Sequence, residues 1–270
     1  MQENQTIYYP QDEINTTLLP VTTGCSYNKC AFCSMYKDIP FEEVEFSDIQ
    51  YELMNIDPLT ERICLIGADP LCIGFDKISR ILNAIKKYLP YCACVTSYAS
   101  VKSLKRYSVE QLSQLHDDGL RLLYVGFESG SDEVLKMIHK GHTVADAVQQ
   151  GQKLNEAKIQ FNAIIMYGLA GAGKCIQAAV ETAEMLNQMA LHKIITMNLT
   201  LFTGTELSQM ADNGTYIPAR RPERIDELHT LLDNLVPKKK LLFDTTHPTN
   251  IVRIRGYLPD EKERIIGELH

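Results

Sequence analysis

The chain has 270 residues, 45% of them hydrophobic, and a formal charge of −7 at pH 7. That is enough apolar material for a sizeable core, at a length near the roughly 250 residues of a one-domain βα barrel. The acid excess argues against a broad nucleic-acid surface, which needs surplus Lys and Arg. No apolar run reaches the roughly 18–20 residues of a membrane span. The polar start, Met1-Gln2-Glu3-Asn4-Gln5, lacks the apolar region of a signal peptide, so a cytoplasmic location is expected. Eight cysteines in such a chain point to metal binding or burial rather than disulfides.

Thr16 to Val21 reads as the first strand, and Thr22-Thr23-Gly24 release it into Gly24-Cys25-Ser26-Tyr27-Asn28-Lys29-Cys30-Ala31-Phe32-Cys33. Three cysteines fall within nine residues, spaced C-x4-C-x2-C. Three thiolates so close together can hold one soft metal centre, and iron–sulfur clusters and zinc are the matching groups. Both normally take four protein ligands, yet the next cysteine is Cys64 and the first histidine is His116. A three-cysteine loop without a local fourth ligand points to a [4Fe-4S] cluster with one iron open to a small molecule. A structural zinc loop and unrelated free thiols stay open as alternatives.

Ser47 to Met54 has helical spacing, and Arg62 to Ile66 is a second strand ending in Gly67-Ala68-Asp69-Pro70-Leu71. Alone, that ending is an ordinary strand-to-helix turn with Pro at the helix start. Phe75 to Leu89 is an amphipathic helix, and Cys92 to Ser97 a third strand with Cys92 and Cys94 on one face as small apolar residues. Ser97, Tyr98 and Ser100 sit at its C-terminal end. Ser108-Val-Glu-Gln111 is a capping box opening a helix that stops near Gly119. Leu122 to Phe127 is a fourth strand, entering Glu128-Ser129-Gly130-Ser131-Asp132 and continuing through Leu135-Lys136-Met137 to Lys140-Gly141-His142-Thr143. Taken alone, Lys140 is a solvated charge, and His142 reads as a loop histidine ahead of a proton donor.

Thr143 caps a helix to Ala157, and Gln160 to Tyr167 is a fifth strand. The following Gly168-Leu169-Ala170-Gly171-Ala172-Gly173-Lys174 invites a phosphate-loop reading, which fails because Cys175 follows Lys174 where Ser or Thr is needed. A helix runs to about Met189, and Ile194 to Leu201 is a sixth strand, followed by Phe202-Thr203-Gly204-Thr205-Glu206-Leu207. Six strand–helix units in alternation predict an α/β fold with a parallel sheet. The expected architecture is a partial (βα)6 TIM-type barrel over residues 1–215, with a short C-terminal extension, 216–270, packing on it. In the extension Arg221 to Leu235 and Pro259 to Leu269 read as helices, and Lys238-Lys239-Lys240 as a solvated basic cluster. The polar stretch Asp244 to Asn250 is placed over the barrel's open side. His247, Asn250, Arg253 and Arg255 are candidate substrate contacts.

These motifs, in this order, resemble those of the radical S-adenosylmethionine (SAM) superfamily, and especially its methylthiotransferases and coproporphyrinogen dehydrogenase-like proteins. In that family a C-x3-C-x2-C loop holds a [4Fe-4S] cluster whose fourth iron is chelated by the SAM amino and carboxylate groups. The first gap here is four residues rather than three. The resemblance implies that Cys25, Cys30 and Cys33 are the cluster ligands, with Phe32 as the aromatic residue before the last of them. Gly67, Ala68 and Asp69 match the turn that holds the SAM amino group, with Ala and Asp replacing Gly and Glu. Ser97 is expected to face the site, Glu128 to face SAM, Lys140 to pair with the SAM carboxylate, and Met166 and Gly168 to lie beside the adenine.

The chemistry implied is reductive cleavage of SAM by the cluster and abstraction of a hydrogen atom from a substrate, in an oxygen-sensitive enzyme. The expected partners are a small-molecule substrate and a reductant such as flavodoxin or ferredoxin. Neither nucleic acid nor membrane is expected as a partner. Two alternatives remain: modification of RNA or protein, and a non-catalytic iron–sulfur or zinc protein.

Overall fold

The computed structural model describes residues 8–269, so the polar start at Met1–Gln5 lies outside the described residues. Eight strands belong to one mostly parallel sheet and alternate with helices, which makes the fold α/β and a partial TIM-type barrel. Among the described residues no helix is long and apolar enough to cross a membrane.

The chain divides into two compact units. The first takes the chain up to Asn28, then Tyr36–Val125 and Glu156–Gln160. It contains β1 (Thr17–Pro20), the short pair β2 (Thr22–Thr23) and β3 (Glu42–Glu43), α1 (Phe46–Asn55), β4 (Arg62–Ile66), α2 (Phe75–Tyr88), β5 (Cys94–Ser100), α3 (Val101–Leu104), α4 (Val109–Asp117) and the start of β6 (Leu120–Glu128). β1 pairs in parallel with β4, Thr17 opposite Ile63, and β4 with β5, Arg62 opposite Cys94. The strands are nearly continuous apolar runs because both faces of a parallel sheet are covered. Leu19, Ile63 and Leu65 are fully buried, as are Ile78 and Leu82 from α2. The capping box opens α4 as the sequence predicts: the Ser108 hydroxyl accepts from the Gln111 amide and the Gln111 side chain accepts from the Ser108 amide. The fully buried Glu13 is matched by Arg62, whose guanidinium reaches it at 2.9 and 2.6 Å, and by the Tyr124 hydroxyl at 2.7 Å.

The second unit takes Lys29–Met35, Gly126–Asn155 and Phe161 onward. It holds α5 (Asp132–Met137), α6 (Val144–Glu156), most of β7 (Gln160–Tyr167), α7 (Cys175–Leu186), β8 (Lys193–Asn198), α8 (Glu206–Asp212), α9 (Arg221–Asn234), β9 (Leu241–Asp244), β10 (Arg255–Leu258) and α10 (Lys262–Gly267). β7 and β8 are parallel, with Asn162 opposite Lys193 and Tyr167 opposite Asn198. The stretch beyond residue 216 is not only helical. β9 joins β8 in parallel, and β10 turns back antiparallel on β9. The buried Lys193–Asp244 ion pair, 2.6 Å, links the facing strands β8 and β9.

Candidate cofactor site

The cysteine loop starts on a tight base. Gly24 has φ +61°, and a Cβ there would run into the carbonyls of Ile39 and Pro40, so only glycine serves. Four residues on, Asn28 also lies in the left-handed region, φ +45°. Its amide donates to Cys25 Sγ at 3.3 Å and its side chain to the Tyr36 carbonyl at 2.8 Å, while its own carbonyl accepts from Lys37 Nζ at 3.1 Å.

Cys25, Cys30 and Cys33 are all reduced and half-buried. Burial holds the other five cysteines toward the neutral thiol: Cys64 is pushed up to about 12 and Cys72 to about 11, and Cys92, Cys94 and Cys175 are raised as well. Among the described residues no three His, Cys, Asp or Glu side chains form a ready-made metal cage. The fit to an iron–sulfur cluster therefore rests on the donor set, three soft sulfurs on one short loop with partial access.

In the same unit, the turn after β4 is held tightly. Gly67 has φ +141°, and a Cβ there would strike the Thr22 hydroxyl and carbonyl. Asp69 is buried, and its carboxylate accepts from the Ser100 amide at 3.2 Å, the Ser100 hydroxyl at 2.6 Å and the Ser103 hydroxyl at 2.8 Å. Tyr107 reaches the Leu71 carbonyl at 2.6 Å and Arg106 the Cys72 carbonyl at 2.6 Å. Asp69 thus braces this turn against the end of β5. Ser97 lies inside β5, fully buried, with its hydroxyl on the Tyr98 carbonyl at 2.9 Å.

In the second unit, the stretch carrying Cys30 and Cys33 is laced by backbone bonds. The Ala31 amide donates to the Ile138 carbonyl at 2.9 Å, and the Leu207 amide to the Ala31 carbonyl at 2.9 Å. Ala31 is buried among Val134, Ile138, Leu169 and Leu207, with Phe32 and Met166 packed on the same cluster. Glu128 ends β6 at φ +66°, a strained conformation for a residue with a side chain. Its carboxylate stands 2.6 Å from Lys140 Nζ, with the two side chains only 9% and 13% exposed. Burial pulls the Lys140 ammonium down, but Glu128 and the nearby sulfurs of Cys30 and Cys33 outweigh it and leave it raised. Gly126 makes room for the pair, since a Cβ there would stand 2.8 Å from Glu128 Oε1 and 3.1 Å from Lys140 Nζ. Lys140 is therefore not the solvated charge that one of its two sequence readings allows.

The end of β7 is clamped by residues that no motif marked. Gly168, φ +86°, donates its amide to Glu227 Oε2 at 2.7 Å, and its carbonyl accepts from the Tyr216 hydroxyl at 2.8 Å. Arg224 crosses over it to Asn198 Oδ1 at 2.8 Å and to the Leu199 carbonyl at 2.9 Å. Burial pushes the Glu227 carboxyl up to about 7. Glu128 and Glu227 line one small pocket together with Met166, Tyr167 and Thr182. The one sequence signal for Glu227 is its place beside the apolar stripe Leu228, Leu231 and Leu232 of α9, where an acid needs a partner.

Residues 19–183 match the model of the radical SAM superfamily. The chain is 24% identical over 250 residues to a probable threonylcarbamoyladenosine tRNA methylthiotransferase of Methanocaldococcus jannaschii, covering 87% of this chain and 57% of that protein. It is also 24% identical over 132 residues to a tRNA uridine(34) acetyltransferase of Methanocaldococcus infernus, covering 48% of this chain and 24% of that protein. Among solved structures, coproporphyrinogen III oxidase from Escherichia coli, a radical SAM enzyme, superposes with a TM-score of 0.60 at 12% identity over 81% of this chain and 51% of that one, a likeness of fold. The chain therefore spans only part of the relatives it matches. The family model covers more than half of the chain, which accordingly belongs to the radical SAM superfamily, enzymes that use a [4Fe-4S] cluster and SAM.

Proposed function

We propose that Cys25, Cys30 and Cys33 hold the [4Fe-4S] cluster and that the loops after β4, β6 and β7 hold SAM. When bound, the cluster and SAM supply one-electron reductive cleavage of SAM and hydrogen-atom abstraction from the substrate. The residues of this chain bind, orient and exclude water. The observation that carries the reading is the buried Lys140 ammonium, fixed at 2.6 Å by Glu128 in the same compact unit as Cys30 and Cys33. It offsets the negative charge of thiolate ligands and pairs with a carboxylate. Gly67 and Ala68 offer backbone to the SAM amino group, with Asp69 bracing that turn from behind. Phe32, Met166 and Gly168 line the adenosyl side. Ser97 supports the floor of β5. Residues 1–215 form the catalytic core and 216–270 an extension that clamps it.

The substrate we favour is a small molecule, met in the cytoplasm together with a flavodoxin- or ferredoxin-type reductant. Support comes from the charge distribution. The chain carries 27 Lys and Arg against 34 Asp and Glu, and exposed cations are matched by acids at Lys77–Glu43, Lys86–Asp118, Lys174–Glu133 and Lys240–Asp260, whereas a phosphate backbone selects for a basic surplus. RNA modification is the second reading, because both curated relatives act on tRNA by name. The acid excess alone does not set it aside. To separate the two, the anaerobically reconstituted protein is given SAM and reductant with either the small-molecule or the tRNA fraction of a cell extract, and 5′-deoxyadenosine is assayed. Release stimulated by the small-molecule fraction alone supports the favoured substrate, and stimulation by tRNA alone replaces it with RNA.

A further inference from the structure

The four-residue gap between Cys25 and Cys30 does something specific. Its third residue, Asn28, adopts the left-handed conformation, φ +45°, which aims its amide back at Cys25 Sγ, 3.3 Å away. Asparagine is among the few residues with a side chain that enter this region readily. Two further bonds fix the turn. The Asn28 side chain donates to the Tyr36 carbonyl at 2.8 Å, and Lys37 Nζ donates to the Asn28 carbonyl at 3.1 Å. The chain entering the loop is thereby tied to residues 36 and 37. An ammonium also sits on the same residue whose N–H meets the sulfur.

We propose that Asn28 is a positioning residue that sets the reduction potential of the cluster through its amide hydrogen bond to the Cys25 sulfur. This rests on the reading of Cys25 as a cluster ligand. Reduction adds negative charge to the cluster and its sulfurs, so a donor fixed on a ligand sulfur stabilises the reduced state more than the oxidised one. The Lys37 ammonium, bonded to the Asn28 carbonyl in the next peptide unit, helps to hold the turn and adds a positive charge beside it. The left-handed backbone of residue 28, and not its amide side chain as such, is what the effect depends on.

The test is an anaerobic redox titration of the reconstituted full chain, followed by EPR of the reduced cluster, with iron and sulfide content measured first. Asn28→Val disfavours positive φ, because β-branched residues avoid it, whereas Asn28→Gly keeps the turn. The Asn28→Val variant is expected to need a potential at least about 59 mV lower, a tenfold shift in the oxidised-to-reduced ratio for one electron. Asn28→Gly is expected to stay close to the unmodified protein. Full iron loading with an unchanged midpoint in Asn28→Val overturns the proposal, and so does an equal fall in the glycine variant. If Asn28→Val takes up no iron, Asn28→Ala, smaller but also disfavouring positive φ, decides: a lowered midpoint supports the proposal and an unchanged one overturns it. An unmodified chain that binds no cluster, or a Cys25→Ala chain that loads a normal one, refutes the ligand reading instead.

Discussion

Lys140 Nζ and Glu128 Oε1 meet at 2.6 Å with both side chains almost buried, twelve residues apart in sequence and joined across the loop that follows β6. Such a pair is costly to break from one side, since the remaining charge is left buried without its partner. Lys140→Met is expected to lower stability by about 3–5 kcal/mol, with a smaller loss when Glu128→Gln is added. Urea unfolding of the two variants checks this. An additive double variant would mean that the two groups do not interact. Weaker SAM binding by Lys140→Met, measured calorimetrically on reconstituted protein, separates its place in the site from its place in the fold.

Glu227 makes stability depend on pH. Its folded carboxyl is raised from 4.5 to about 7 by burial. The folded state therefore binds the proton more tightly than the unfolded chain does. Stability is fully present below about pH 4.5 and falls as the pH rises through 7, by roughly 3 kcal/mol. Glu227→Gln should flatten that part of the stability-against-pH curve. A curve identical to that of the unmodified protein would show that Glu227 is ionised throughout at no cost.

Gly67 is held by both its backbone and its surroundings, φ +141° with Thr22 against the place of a Cβ. Gly67→Ala is expected to cost about 1–3 kcal/mol from backbone strain alone, with the clash adding to it. Thermal unfolding reads the loss, and a Tm unchanged from the parent would contradict it.

The barrel was legible because its strands and helices have different periods and alternate. β4 and β7 begin and end at the residues that pattern and punctuation select, Arg62–Ile66 and Gln160–Tyr167. Other bounds moved for tertiary reasons. The sixth strand stops at Asn198 rather than Leu201, where Arg224 takes the Leu199 carbonyl. The third runs from Cys94 to Ser100, so Cys92 precedes it. β9 and β10 went unseen because four-residue strands beside a polar loop carry too little pattern. Local motifs marked the cysteine loop, Glu128 and Lys140. Tyr216, Arg224 and Glu227 reach Gly168 from about 50 residues away, and no local spacing encodes such a contact.

The most direct test of the account is anaerobic reconstitution with iron and sulfide, followed by SAM and dithionite, with 5′-deoxyadenosine as the readout. Cys25→Ala, Cys30→Ala and Cys33→Ala are run in parallel. The unmodified chain is expected to show a [4Fe-4S] spectrum and to release 5′-deoxyadenosine, and each variant to lose both. Zinc in place of iron with no SAM binding, or SAM cleavage that survives removal of any of the three cysteines, would contradict it.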